Sequence, residues 1–543
     1  MNFNEIFFGE EKVFNRKVAT FHAAIFLAAV MFLYLFSFST SPRYESFGDD
    51  SAIFQAVGKC WTEGLLPYVG AFENKGALLF AIDALGYLIY PRDGIFLLQV
   101  PFMYFSMLFT WRAVELFCSR RTTFAMWLLM IFWRAAIFYE GNRTEEYSMP
   151  FLLAGAYFFL RWLKDEKNFL PPSIGFFYGL GFGACVLLRT TNGLPICCYV
   201  LLTTFLLIRA GAFKNILQNF LSFWAGFATI CLPFVIYFAA HGALYEMIYG
   251  TILINISHAT SFNPSHEEFM DFMGSYFIYR LNLLAWFVAA SLFALMFNRK
   301  SFLAWSGLFT GAAMLFMLMK GRPFYGYPEL IAALLPLMFA VFVELKTMLA
   351  PTLKSIWNFR EINSRQLFFY NATYAALFFY FLICAGAQTA HLYLELTEVG
   401  ATTAEYFHKE RQLIHELQAH IPADEKNSVI LWGGSHEMGV FILETGIKPR
   451  CRFFGNVTCF FGKSDPAVID EWIQTVRRER PKWIVYNALA EEFSGEQMDY
   501  FQYNFMRQRN SEVEKILDED YVLVDEMSEG YVIKLYRQRE ARK

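Results

Sequence analysis

The residues with chemical potential in this chain are charged side chains set beside apolar runs. Asp49 and Asp50 follow the first apolar run of membrane length, and Lys75 closes the same stretch, "DDSAIFQAVGKCWTEGLLPYVGAFENKGALLF". Glu140, Arg143, Glu145 and Glu146 sit in "EGNRTEEY", Arg189 in "RTTNG", and Lys320 and Arg322 in "KGRPFYGYPE". Charges at helix ends near a bilayer are costly unless they are paired, solvated or functional. A carboxylate there can take a proton from an acceptor hydroxyl, while Lys and Arg hold a phosphate leaving group at headgroup depth. Each group also has a plainer reading. Asp49 and Asp50 can form a solvated helix start, with Asp capping "SAIFQAVGKCW". Lys75 can be an interfacial anchor, "EGNRTEEY" an acidic first turn, and Arg189 and Arg322 contacts to lipid headgroups. What favours chemistry is that all of them fall on one face of the predicted topology.

That topology follows from composition. The chain has 543 residues, 56% of them hydrophobic, 17% charged, with 63 Phe and a mean hydropathy of +0.33. Soluble domains carry about 25% charged residues, so the chain reads as a polytopic membrane protein. A net charge of −3 points to no polyanionic partner, and no nucleic-acid signature is visible. Apolar runs of spanning length lie near 18–39, 97–117, 122–139, 146–163, 172–189, 192–209, 216–240, 278–297, 301–319, 327–345 and 366–390. The run 76–91 is shorter and contains Asp83. If it does not cross and the N-terminus is cytoplasmic, the inner segments hold about 16 Lys/Arg against about 9 outside before residue 366. If it crosses, those basic loops move outside. The expectation is therefore about eleven transmembrane helices plus a re-entrant or interfacial helix at 76–91. The lead "MNFNEIFFGEEKVFNRK" reads as cytoplasmic and not as a cleavable signal.

Beyond residue 390 the composition turns polar. "SVILWGG" (428–434) and "KWIVYN" (482–487) predict short buried strands, 466–481 a helix, and 521–536 a hairpin turning near Ser528–Gly530. The predicted fold is an all-α polytopic membrane bundle (1–395, with a first outer loop at 40–96) and a small extracytoplasmic α/β domain (396–543). Weaker features are His258 and His266 with Glu267 and Glu268, whose spacing matches no standard metal site, and Ser435–His436, which read as a turn. Sequons occur at Asn142, Asn255, Asn371 and Asn456, and Cys451 and Cys459 could bridge outside the cytoplasm.

The stretch 49–80 resembles the first extracytoplasmic loop of GT-C glycosyltransferases, in the branch of the protein O-mannosyltransferases and the lipid A aminoarabinose transferase. The resemblance lies in the acidic pair after helix one, the turn Gly64-Leu65-Leu66-Pro67-Tyr68 and Lys75 in "NKGA". "EGNRTEEYSMPFL" is similar to the second acidic motif, with Glu145 and Glu146 in place of Asp. "GRPFYGYPELIAALLP" (321–336) is similar to the late motif, with Tyr325 or Gly326 where the family has His, and Ala77 stands where it has Pro.

The family implies inverting transfer of a sugar from a polyprenyl-phosphate donor to a lipid, glycan or protein acceptor at the outer face of the cytoplasmic membrane. By position it implies Asp50 as general base, with Asp49 the alternative, and Glu145 or Glu146 placing the acceptor or tuning the base. Lys75 with Arg189 or Arg322 would hold the lipid phosphate, and Arg143, Tyr325 and Tyr327 would contribute to substrate binding. No cofactor is required, although some members of the superfamily use a divalent metal. A lipid-linked-sugar flippase and a non-catalytic envelope scaffold are the competing readings.

Overall fold

A computed structural model describes residues 3–8, 14–138, 140–165, 168–261, 281–320, 327–356, 400–433, 437–455, 465–487, 512–527 and 533–540. After the short helix α1 (Phe3–Phe8), α2 (Arg16–Phe36) crosses the bundle. Then come α3 (Asp50–Thr62), α4 (Ala77–Ile89), α5 (Asp93–Glu115), α6 (Arg120–Ile137), α7 (Thr144–Asp165), α8 (Pro172–Leu188), α9 (Leu194–Arg209) and α10 (Phe213–Ala240). The short α11 (Leu244–Ile248) and α12 (Ile254–Ser261) precede α13 (Asn282–Phe297), α14 (Phe302–Lys320) and α15 (Leu335–Ile356). Ten of the eleven predicted crossings thus carry helix, and 366–390 lies outside the described residues. Within those residues six helices, not eleven, are both long and apolar enough to cross alone. The others fall short for visible reasons. Helices α8 and α13 have 17 and 16 residues, while α6 and α7 carry buried charges such as Arg134, Glu145 and Glu146. The run predicted as helix from 327 begins as a 3-10 segment, Tyr327–Leu334, and becomes α-helical only at Leu335.

Helix α4 is short. Its 13 residues span about 20 Å, short of the roughly 30 Å hydrocarbon layer. At its start the Gly76 N–H donates to Leu188 O (2.9 Å) at the end of α8. Just beyond its end, Arg92 donates to Tyr44 O and, at 2.8 Å, to Ser46 O, both after α2. The 37–50 loop, the 140–143 turn and the 189 corner gather at that end. At the opposite end Arg112 donates to Ile6 O (2.8 Å) and pairs with Glu115 (2.7 Å). Close packing of small residues joins α8 to α10. A Cβ on Gly179 would lie 1.8 Å from Phe223 O, so the backbones touch as small residues permit in membranes.

The C-terminal part begins with α16 (Gly400–Ala419) and contains β1 (Val429–Trp432), α17 (Glu437–Thr445), α18 (Ala467–Glu479), β2 (Trp483–Asn487), β3 (Tyr521–Met527) and β4 (Ile533–Gln538). The sheet order is β1-β2-β4-β3, with β1 parallel to β2 and the other pairs antiparallel. The two strands, the helix and the hairpin strands expected from sequence are all present. Helix α18 buries Val468, Ile469, Trp472, Ile473 and Val476 against the sheet, and Trp472 Nε1 donates to Leu431 O at 2.8 Å.

This layer shares one hydrophobic core with α3 and α4. Helix α17 lies so close to α3 that a Cβ on Gly439 would stand 2.7 Å from the Ala52 carbonyl carbon. Lys59 Nζ donates to Leu443 O (3.0 Å) at the end of α17, where the helix dipole favours a cation. The Phe72 N–H donates to Arg452 O at 2.9 Å. The polar C-terminal layer therefore buttresses the helix that begins with Asp50.

Candidate functional site

The site is built where three chain corners meet. The first is the start of α3. Gly48, at φ +74, turns the chain, and a side chain there would run into Glu140 Oε2. Asp49 precedes the helix without a side-chain capping bond, so the simple helix-cap reading of Asp49 does not describe this corner. Its backbone N–H donates instead to Glu140 Oε2 at 2.5 Å.

The second corner is the turn before α7. Glu140, Gly141 and Asn142 all have positive φ, at 41°, 83° and 55°, a conformation that non-glycine residues adopt at a cost. Side chains hold it there. Asn142 Nδ2 donates to Ser51 Oγ and to Asp83 Oδ1, each at 3.0 Å. Tyr147 OH donates to Asn142 Oδ1 at 2.6 Å. Glu146 Oε2 accepts the Asn142 N–H (2.8 Å) and Gln99 Nε2 (3.0 Å). The sequon asparagine Asn142 is fully buried, so in the folded protein it is a structural hub with no room for a glycan. Asn255, a second sequon, bonds to Asn74.

Arg143 then reaches across the junction. Its guanidinium lies 3.2 Å from Asp50 Oδ2, 3.1 Å from Glu140 Oε1 and 3.7 Å from Glu145 Oε2. The third corner supplies Arg189, at the end of α8, which donates to Glu145 Oε1 at 2.9 Å. Arg189 also stacks on the Tyr327 ring, 3.6 Å from its centroid, a cation–π contact. Solvent access separates the acids. The Asp50 side chain is 21% exposed, Glu140 7% and Glu145 1%. Asp50 is therefore the most solvent-accessible carboxylate of this trio. Burial raises Glu140 to about 8; Arg143 works against that rise, and Asp49 and Asp50 add to it.

Lys75 stands on the other flank. Its Nζ donates to Asn74 Oδ1 (2.9 Å) and Glu73 Oε1 (3.4 Å) and lies 5.3 Å from the centre of the Phe54 ring. Burial raises the Glu73 carboxyl, Lys75 pulls it down, and the nearby charge of Asp50 raises it again. Phe54 lies four residues on from Asp50 in α3, so Lys75 sits against the helix that begins with Asp50.

Of the residues predicted from sequence, Asp49, Asp50, Arg143, Glu145, Arg189 and Tyr327 form one connected cluster. Lys75 lies beside it, over the Phe54 ring of α3, and Glu146 supports it from behind. Arg322 and Tyr325 lie outside the described residues, as do His266, Ser435, His436, Asn371, Asn456 and Cys459. Cys451 is buried. Sequence reasoning saw in Asn142 only a sequon and assigned no role to the Asp83 side chain or to Gln99, because an isolated amide and a lone helix acid carry no local signature. It also missed the partner of the intramembrane Arg134, which is Glu329 at 3.0 Å.

No group of three His, Cys, Asp or Glu side chains among the described residues is arranged to hold a metal ion. The acids that face each other at the junction already surround Arg143, so the described residues there do not fit a divalent ion.

In class, the chain is a multi-helix membrane-type bundle carrying a small four-stranded α/β layer. No protein-family model matches the sequence, nor does any curated protein. Among solved structures it is similar to the Archaeoglobus fulgidus oligosaccharyltransferase tethered to an acceptor peptide containing an NVT sequon. That match has 11% identity, 96% of this chain and 74% of that chain covered, and a TM-score of 0.49. It is similar too to AglB from the same organism with an inhibitory peptide and dolichol-phosphate, at 10% identity, 93% and 73% coverage and a TM-score of 0.47. A zinc and sulfate complex of the A. fulgidus enzyme gives 11%, 85%, 68% and 0.45.

Proposed function

We propose that this protein is a membrane glycosyltransferase of the GT-C kind that uses a polyprenyl-phosphate-linked sugar. The observation that carries the proposal is the junction itself. A partly exposed carboxylate, Asp50, is fixed by Arg143 at one end of a helical bundle, with Arg189 paired to the neighbouring Glu145 and Lys75 over the Phe54 ring of the same helix. In the reaction, the acceptor hydroxyl oxygen attacks the anomeric carbon as Asp50 takes its proton. The bond from that carbon to the phosphate oxygen breaks on the opposite face, inverting the centre. The bonding pair leaves with the prenyl phosphate, whose charge Lys75 and Arg189 meet. Asp49 is the alternative base. Glu145, clamped between two guanidinium groups, positions them, and Glu146 holds the turn. Arg322 and Tyr325 would add to the phosphate side and Tyr327 to the floor beneath Arg189. No step is routed through a metal.

The basic-loop bias supports a cytoplasmic N-terminus, with the junction and the C-terminal α/β layer on the outer side of the cytoplasmic membrane. Donor and acceptor would meet there among membrane lipids, the acceptor being a lipid, glycan or protein. A flippase is the second reading, and the buried pair Arg134–Glu329 inside the bundle is the observation that favours it. Mass spectrometry of envelope glycans in cells with the protein, without it and with Asp50→Asn separates the two. The transferase reading expects one glycan modification to vanish in both altered strains. An unchanged profile in the Asp50→Asn strain refutes the role of Asp50.

A further inference from the structure

We infer that Arg143 is the resident cation of this junction, doing with a guanidinium what a divalent ion would otherwise do, so that the site neither binds nor needs such an ion. The catalytic half of this inference rests on the transferase reading; the metal-binding half does not.

Three carboxylates from three separate elements converge here: Asp50 from α3, Glu140 from the 140–143 turn and Glu145 from α7. Converging acids are the usual makings of an oxygen-ligated Mg2+, Mn2+ or Ca2+ site, which needs its oxygens within about 2.0–2.6 Å of one centre. The space between them is filled. The Arg143 side chain is 3% exposed and approaches the three acids at 3.2, 3.1 and 3.7 Å.

The remaining glutamate oxygens are also engaged. Glu140 Oε2 accepts the Asp49 N–H. Glu145 Oε2 accepts the Thr144 hydroxyl (3.0 Å) and Glu145 Oε1 accepts Arg189. An entering ion would have to expel a buried guanidinium from its acids and break these bonds together.

The planar fork of arginine suits this task, since several N–H groups can meet different carboxylates at once. It also orders the acids. By taking Asp50 Oδ2, Arg143 sets the rotation of that carboxyl and leaves Oδ1, on the partly exposed side chain, to receive the proton. Arg143 therefore acts as a positioning residue, working through Asp50.

The test uses the full-length protein in detergent, titrated with Mn2+ and followed by electron paramagnetic resonance. Wild type should show no saturable site below millimolar Mn2+. Arg143→Ala, which leaves three acids facing an empty space, should gain one, tightened at least tenfold and lost again when Asp50→Asn is added. Saturable micromolar binding to wild type that Asp50→Asn removes would overturn the inference, and this arm decides it even if the alanine variant is unstable or the protein transfers no sugar.

In vesicles containing the protein's own lipid-linked donor, EDTA should leave turnover unchanged. Arg143→Ala should lose at least 100-fold and recover in part with millimolar guanidinium, while Arg143→Lys, which keeps the charge without the fork, should fall in kcat with little change in KM. Abolition of wild-type turnover by EDTA, restored by Mn2+, would also overturn it.

Discussion

Asn142 offers the sharpest quantitative test of how the junction is held. In Asn142→Ala, the two Nδ2 bonds and the Oδ1 acceptor disappear. Ser51 keeps a partner, since Gln55 Nε2 also donates to its hydroxyl at 3.0 Å. Asp83 and Tyr147 do not fare as well. Both are fully buried, and Asp83 Oδ2 already has no partner, so losing Asn142 leaves the whole carboxyl unbonded. Tyr147 OH loses its acceptor. Two stranded buried groups cost about 1–3 kcal/mol each. Placing alanine at φ 55° adds about 1 kcal/mol. The expected loss is about 3–7 kcal/mol, which in a large domain corresponds to a fall in Tm on the order of 10 °C. Asn142→Gly removes the backbone penalty but not the stranded groups, so it should recover only about 1 kcal/mol of the loss. Adding Asp83→Leu to Asn142→Ala removes the stranded acid, and the pair should be less destabilised than the sum of the single changes by at least about 1 kcal/mol. Thermal unfolding of the detergent-solubilised variants measures all of these. An Asn142→Ala protein melting within a degree or two of wild type would refute the hub.

Two further perturbations address the same corner. Glu140 is held above its ordinary value, to about 8, so the native state binds more protons than the unfolded chain between the usual carboxylate range and that point. Its contribution to stability is then greatest at low pH and declines as pH rises through this window. Glu140→Gln should flatten that decline in Tm-versus-pH profiles between pH 5 and 8, and an unaltered slope would show that another group carries it. Gly76→Ala tests the seat of Lys75. The added Cβ would lie 2.0 Å from Leu187 O, so the backbone must shift by about 1 Å to reach ordinary contact. Misplacement on that scale can cost about 100-fold in rate, so transfer should fall far more than expression or membrane insertion, as measured by turnover per inserted protein. Retained turnover would detach Lys75 from the reaction.

Much of this arrangement is legible in the residue order, and the illegible part has a common cause. Hydropathy and basic-loop bias place the helices because both are properties of contiguous residues. They also make 76–91 a helix too short to cross, and α4 has 13 residues there. Pairing across the bundle has no such local trace. Nothing near Arg134 announces Glu329, 195 positions away, and nothing in "EGNRTEEY" tells Arg143, which reaches Asp50, from Glu146, which turns inward to Gln99. The 3-10 start of the Tyr327 segment escapes periodicity because it depends on tertiary packing. So does the shared core between α17 and α3, which rests on a glycine and an alanine, Gly439 and Ala52, whose types suggest nothing by themselves.

The central claim is that Asp50, held by Arg143, removes a proton as prenyl phosphate departs. The most direct measurement is release of polyprenyl phosphate, followed by liquid chromatography–mass spectrometry, from vesicles holding the purified protein and lipid extracted from its own membranes. Wild type should release it only when acceptor is present, and Asp50→Asn, folded and inserted to the same extent, should release at least 100-fold less. Equal release by the two proteins would contradict the account.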